Sequence, residues 1–413
     1  MNILKESNVK ISTVLAFALM PLSGFATDIY VPSFPAMAAF FGTNRGDIQL
    51  SLVIFIISSG IAQLFVGSIL DAFGRYRLSL ASLLIFALAS FTIGITNSLP
   101  VLLTMRVVQG ISVALIVVGK RAFFMDVYTG SQLKHYTSLF AIIWSTAPII
   151  APFIGGFLQH FFGWESNFYF LAIATLTLLV LELVYSGETL KTPQSFKIRP
   201  LLNVYSSILS TPDYAISVMI LGLCFSTIML YNMASPFIIE NVFHQSAVAT
   251  GNSSLLSGLA VLSGGLLSKA LINHSITRKI MVVGPLLLIL ASLTIVFMYI
   301  FPNLIVMMAM VMLIHMTSGF TYNTFYTYAL GRFTSNAGTV VGITSGSMFI
   351  ITSIFSYTVV NALHIQNVVM LGVGYLIIAS FIGVLLMLFM QTRKRTVTEE
   401  APQVSPAILA DAA

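Results

Sequence analysis

Two charges stand where an apolar chain tolerates them least. Asp28 closes the first long apolar run of the 413-residue sequence, within TDIYVPSFP, and Arg106 lies inside a later run that reads RVVQGISVALIVVGKRAFFMD. If these runs cross a bilayer, each such charge costs at least about 2.5 to 3.5 kcal/mol on insertion scales, so a retained one is a candidate for ion or substrate chemistry. An aspartate can bind and release a proton and can compensate a cation. An arginine that deep must pair, and Asp28 is the one acid at a similar depth on another central run. The spacing predicts that Pro21, Gly24 and Asp28 share one helix face, and that Arg106, Gln109 and Gly110 share another. Asp28 and Arg106 are the expected proton-coupling pair; the alternatives are an acid that merely caps a helix end and an arginine that pairs for structure alone.

Three further groups complete the candidate chemistry. The island GSILDAFGRYR places Gly67, Asp71, Gly74, Arg75 and Arg77 between the second and third apolar runs, with Gly67 expected to let two helices approach and Gly74 to take the positive φ that ends a helix. The fourth run ends in KRAFFMD, where Asp126 is either a partner for the basic island or a solvated helix end. His315, Gly319, Tyr322 and Tyr326 fall on one stripe of the tenth run, with Asn323 beside it, and Tyr231 and Asn232 lie in the seventh. Together with Tyr30 and Gln109 these are the expected lining of a substrate cavity. Glu182, close to the end of the sixth run, is expected to snorkel into water.

The elements that must position these residues follow from composition. Apolar residues make up 57% and charged residues 8% of the chain, against roughly 45 to 50% and about 25% in soluble domains. A span needs about 20 apolar residues, and twelve such runs can be counted, six on either side of a polar stretch at 187–213 that contains Lys191, Lys197 and Arg199. The expected fold is therefore an all-α membrane protein of twelve transmembrane helices: a first six-helix bundle at 1–186, a linker at 187–213, a second bundle at 214–391, and a tail at 392–413 without order. The first run holds Pro21, Asp28 and Pro32 and lacks a small-residue cleavage site, so it reads as a retained helix, not a leader.

The net charge of +6 would suit nucleic acid if it were clustered, but the 19 Lys and Arg residues are scattered through short loops. With the amino terminus cytoplasmic, 17 of them fall on the cytoplasmic side, leaving Arg45 and Arg106. Both termini and the linker are then cytoplasmic, and nucleic acid is not an expected partner. Cys224, the single cysteine, excludes an internal disulfide.

At these residues the chain resembles the major facilitator superfamily, whose loop between helices 2 and 3 reads GxxxDxxGRR or GRK; here Tyr76 occupies the second basic position and Arg77 follows. Arg106, Gln109 and Gly110 resemble that family's RxxQG. Pro148, Pro152, Gly155 and Gly156 resemble its antiporter motif GxxxGPxxGG, with Ala147 and Ala151 in place of the two earlier glycines. Thr27, Asp28, Tyr30, Pro32 and Pro35 are similar to the TDMYLPALP-like signature of the Bcr/CflA group of drug exporters. The resemblance implies two bundles rocking about a midplane site, and a latch of Asp71, Arg75 and Asp126 that closes the cytoplasmic side. It also implies a monomer in a bacterial inner membrane that exports small amphipathic or cationic molecules against protons. Export of an endogenous metabolite or siderophore, proton symport of a nutrient, and a receptor or scaffold that retains the fold are the other readings. In the second half the echo of the basic island is degenerate, with Gly265 and Lys269 followed late by Arg278 and Lys279, and gives no matching latch.

No GxxxxGK[ST] loop and no HExxH occur. Neither an enzyme, a cofactor nor a metal is expected; the partners are a small-molecule substrate, protons and lipid.

Overall fold

The computed structural model describes residues 3–192, 198–333 and 337–400. The first apolar run does not form one rod. Proline lacks the N–H that a helix interior requires, and the chain accordingly breaks into α1 (Val9–Leu19), α2 (Leu22–Asp28), a 3-10 turn at Val31–Ser33 and α3 (Phe34–Phe40), with Pro21, Pro32 and Pro35 at the joints. Asp28 is thus the last residue of a short helix, beside a discontinuity. Interrupted spans of this kind expose backbone groups in the middle of a bundle, where ion and substrate sites can form.

Five longer helices complete the first half: α4 (Arg45–Phe73), α5 (Arg75–Ile95), α6 (Leu99–Val127), α7 (Gly130–Phe162) and α8 (Glu165–Tyr185). The linker carries α9 (Ile198–Leu209). The second half holds α10 (Pro212–Asn241), α11 (Ala247–Ala270), α12 (Ile276–Ile300), α13 (Leu304–Gly331), α14 (Ala337–Ala362) and α15 (Val368–Glu400). Among the described residues, ten helices are long and apolar enough to cross a membrane, counting the segmented first run as one. The remaining two, α7 with its apolar stretch Thr146–Phe162 and the Ser- and Gly-rich α11, complete six spans per half. Successive spans run antiparallel, so one end of the molecule carries the α4–α5 turn and the linker. The opposite end, called here the far end, carries the loops around Asn44, Gly163 and Asn303.

Within the expected linker, Ile208 of α9 is buried and the Tyr205 hydroxyl donates to the Leu64 carbonyl of α4. Helix α15 continues to Glu400, past the start of the expected tail, while Lys197 and residues 401–413 lie outside the described residues.

Small residues set the distances between helices. In α7, Gly155 lies so close to the chain after α2 that a Cβ would fall 1.6 Å from the Ile29 carbonyl oxygen; at Gly156 it would fall 2.6 Å from that of Ala247 in α11. Gly251 returns the contact from α11, with the Pro152 carbonyl 2.6 Å away. The small-residue face of α7 is thus wedged between the broken first span and the second bundle. At Gly67 the expectation of close approach is not met, because a Cβ there would meet nothing within 4 Å. The two positions give a matched test. Gly155→Ala is expected to lower thermal stability markedly, since a backbone carbonyl cannot yield as a side chain can. Gly67→Ala should be neutral or gain about 0.5 to 1 kcal/mol, the ordinary benefit of alanine over glycine in a helix. Melting of the two purified variants side by side decides it; equal stability would refute the close contact.

Candidate functional site

A small hollow lies at the seam between the bundles, walled by Ser23, Gly24, Thr27 and Asp28 of α2, Phe55, Ile56 and Ser59 of α4, Pro148 of α7, Phe225 of α10 and Phe349 of α14. Among the described residues Asp28 is the one ionisable group on that wall, and it is 2% exposed. The Phe225 and Phe349 rings stack 6.1 Å apart and Phe225 leans on Tyr322, itself stacked on Tyr326 at 5.7 Å. The hollow therefore joins one carboxylate to aromatic faces.

The expected pairing of Asp28 with Arg106 is not what the structure builds. Asp28 Oδ1 accepts a hydrogen bond from Asn232 Nδ2 of the opposite bundle, 3.0 Å away. Arg106, wholly buried in α6, donates to the carbonyls of Ala26 (3.0 Å) and Ser51 (3.3 Å) and to Gln109 Oε1 (2.7 Å), with its guanidinium 4.2 Å from the Phe55 ring centroid and 4.6 Å from that of Tyr30. Carbonyl dipoles and ring faces thus supply the cation's direct contacts, and Asp28 acts on it only through space. Gln109 passes the chain of bonds to Ser90 (2.7 Å), and the Tyr30 hydroxyl meets Ser51 (3.0 Å). Through Ala26, two residues before Asp28, Arg106 fixes the end of α2; it positions the acid and does not neutralise it by contact.

The remaining expected lining divides. Asn232 reaches Asp28, and Tyr322 and Tyr326 extend the aromatic wall. His315 and Tyr231 turn into the second bundle instead: His315 Nδ1 lies 2.7 Å from Ser257 Oγ, its Nε2 lies 3.1 Å from the Tyr375 hydroxyl and 3.3 Å from the Thr227 carbonyl, and the Tyr231 hydroxyl donates to Ser253 and to Met308 Sδ. Asn323 packs near Gly265. A second, smaller hollow among Lys279, Val283, Phe320 and Leu386 meets none of the expected residues.

At the linker end the charged island forms a knot. Gly74 takes φ +93° and ends α4; Arg75 bridges to Asp71 at 3.0 Å and to Asp126, and also donates to the Ala122 carbonyl. Arg77 is exposed and takes no part. Glu188, at the head of the linker and not anticipated, accepts from the Arg75 and Tyr76 amides, both at 3.1 Å, satisfying the first turn of α5, while Thr189 donates to Asp126. The second half has its own fastening, built from other elements than the degenerate echo: Asp213 at the start of α10 accepts from Tyr328 (2.6 Å) and Arg332 (2.8 Å) at the end of α13. Glu182 does not snorkel; it is fully buried and bridges Lys120 at 2.6 Å. Lys120 within an apolar run is the signal that could have found this pair. Nothing in the sequence marks Phe225 and Phe349 among 32 phenylalanines.

Two bundles of six spans, a broken first span with a buried carboxylate at the seam, and an Asp–Arg–Asp knot at one end define a multi-pass helical membrane protein. The chain belongs to the Major Facilitator Superfamily, whose family model matches residues 16–356. It is 30% identical over 243 residues to an uncharacterized MFS-type transporter, YdgK, of Bacillus subtilis, taking in 57% of this chain and 60% of that one. Over 199 residues it is 30% identical to a bicyclomycin resistance protein homolog of Haemophilus influenzae, taking in 48% and 50%. The chain thus spans about half the length of the curated relatives it matches. In fold it resembles a mutant of the nucleoside transporter NupG, with a TM-score of 0.70 at 15% identity, over 93% of this chain and 99% of that one.

Proposed function

We propose that this protein is a proton-coupled exporter of small amphipathic or cationic molecules, working as a monomer in a bacterial inner membrane with both termini cytoplasmic. The observation that carries the reading is Asp28, the one ionisable group on a hollow otherwise walled by aromatic, aliphatic and small polar residues. A proton and a cation compete for one carboxylate, so each displaces the other, which is what antiport requires. The relative named for bicyclomycin resistance supports drugs as the substrate class. The test is proton release on adding ethidium to purified protein in weak buffer: release that vanishes in Asp28→Asn is expected. Ethidium binding with no proton release, or release undiminished in Asp28→Asn, would sink the reading.

Orientation rests on the one-sided placement of basic residues. A cysteine at position 197 should resist an impermeant thiol reagent added outside intact cells; modification there reverses the topology.

The knot at the linker end lies away from the hollow, and its proposed role is to bias the two bundle arrangements. Removing a contact made in one arrangement shifts populations without touching the site. Asp71→Asn and Arg75→Ala are accordingly expected to slow export severalfold while ethidium binding in detergent survives. Parallel loss of binding and transport would place the knot in the binding site.

A further inference from the structure

Two consecutive residues of α10 tie the halves together. Asn232 Nδ2 donates to Asp28 Oδ1 at 3.0 Å, and the Met233 carbonyl accepts from Gln49 Nε2 of α4 at 2.8 Å. Beyond them toward the far end, Phe237 packs on Phe34 with ring centroids 6.4 Å apart and lies under the Arg45 guanidinium at 5.0 Å. The part of α10 from residue 232 to 237 is therefore a seam that seals the far end above the hollow. Asn232 is 5% exposed and Asp28 2%, so their bond is shielded from bulk water.

We propose that Asn232 is the positioning residue through which the second bundle reads whether Asp28 is charged and empty. The inference rests on Asp28 as the coupling acid. A hydrogen bond from an amide to a carboxylate is roughly twice as strong as one to a neutral acceptor. While Asp28 is ionised and unoccupied, the Asn232 bond holds the seam shut. A proton on the carboxyl reduces it to a neutral bond, and a substrate cation competes for the same oxygens. Either ligand loosens the seam, and with neither bound it stays closed. An antiporter needs this rule, since the empty, deprotonated carrier must not change sides or the gradient leaks away unused. Besides Asn232, the charged group that acts on Asp28 among the described residues is Arg106 of α6, through space, and the Tyr30 phenol on Asp28's own segment is a titratable group that feels the charge of Asp28. The faces of α4, α7, α10 and α14 that border the hollow present Phe55, Ile56, Ser59, Pro148, Phe225 and Phe349, none of which titrates.

The experiment places spin labels at Asn97→Cys and Gln366→Cys, exposed in far-end loops of the two bundles, in full-length protein in lipid nanodiscs; Cys224 is buried and stays unlabelled. Distances are recorded across pH without substrate. The otherwise unsubstituted protein should be closed at high pH and open as pH falls. In Asn232→Leu the open-to-closed ratio at high pH should rise at least about tenfold, the effect of losing a hydrogen bond to a charged group, and the pH dependence should flatten. Asn232→Asp, close in size, should reverse the sense: two carboxylates repel at high pH and share a proton at low pH. Proteoliposomes of Asn232→Leu should leak protons without ethidium. A pH curve abolished by Asp28→Asn and untouched by both Asn232 variants overturns the inference alone. A curve that Asp28→Asn also leaves unmoved overturns it together with the coupling role of Asp28.

Discussion

Asp28→Asn is expected to reduce gradient-driven export to the level of empty vesicles while the protein still inserts, folds and binds neutral amphipaths. The amide keeps the size of the carboxyl and can still accept from Asn232, so the hollow keeps its shape. It lacks the two abilities that the site requires, a charge to hold a cation and a site for a proton. In the wild type, a lower pH on the side that receives the substrate should speed its release, because protonation cancels the charge that retains it. In the Asp28→Asn variant the residual flux should be flat with pH. The measurement is ethidium efflux from proteoliposomes with an imposed proton gradient, with neutral-dye binding as the folding control. Retained, pH-dependent efflux would move the coupling site elsewhere, and His315 with its three polar partners would be the next candidate.

Arg106 gives a contrasting expectation from the same geometry. Its guanidinium anchors the Ala26 and Ser51 carbonyls and touches no carboxylate, so its loss should disorder the end of α2 and weaken binding and transport together. A pure shift of the pH profile with binding intact would instead restore the direct pairing that the sequence suggests.

Depth and face are legible in the sequence. Twelve apolar runs and the small-residue face of α7 follow from local periodicity and from the cost of charge in hydrocarbon, whereas the knot of Asp71, Arg75 and Asp126 is what the family resemblance implies, and the breaks near Pro21 and Pro32 interrupt a run that reads as one helix. Partner choice is not legible. Depth alone pairs Arg106 with Asp28, yet carbonyls and rings compensate an arginine equally well, and only the rotation of α6 against α2 and α4 decides between them. A helix end allows Glu182 to reach the surface, but Lys120, 62 residues earlier, turns out to face it. Glycine at position 67 permits a close contact, and a permitted contact need not be made in a given arrangement of the bundles. Asn232 is recognisable as lining, but its reach across the seam depends on how two halves meet, which no spacing within either half encodes.

The largest expected effect on stability lies in the pair that the sequence conceals. Lys120 Nζ and Glu182 Oε2 are 2.6 Å apart between α6 and α8, with Lys120 nearly and Glu182 wholly buried, and the second carboxylate oxygen has no partner among the described residues. Desolvating two ions costs several kcal/mol each, and their attraction recovers this only while both are present. Removing one leaves the other charged and unpaired in an apolar interior. Lys120→Met and Glu182→Leu are therefore each expected to cost about 3 to 5 kcal/mol, seen as loss of monodisperse protein and a collapsed melting temperature. Apolar replacement of both removes both desolvation terms, so Lys120→Met/Glu182→Leu should recover wild-type stability or exceed it. The buried Cys224 supplies the readout, since a thiol-reactive dye labels it only as the helices come apart. A double variant as unstable as either single one would mean that the site needs its polarity for more than mutual neutralisation. The unpartnered Glu182 oxygen would then mark a buried water or proton site on which the first bundle depends.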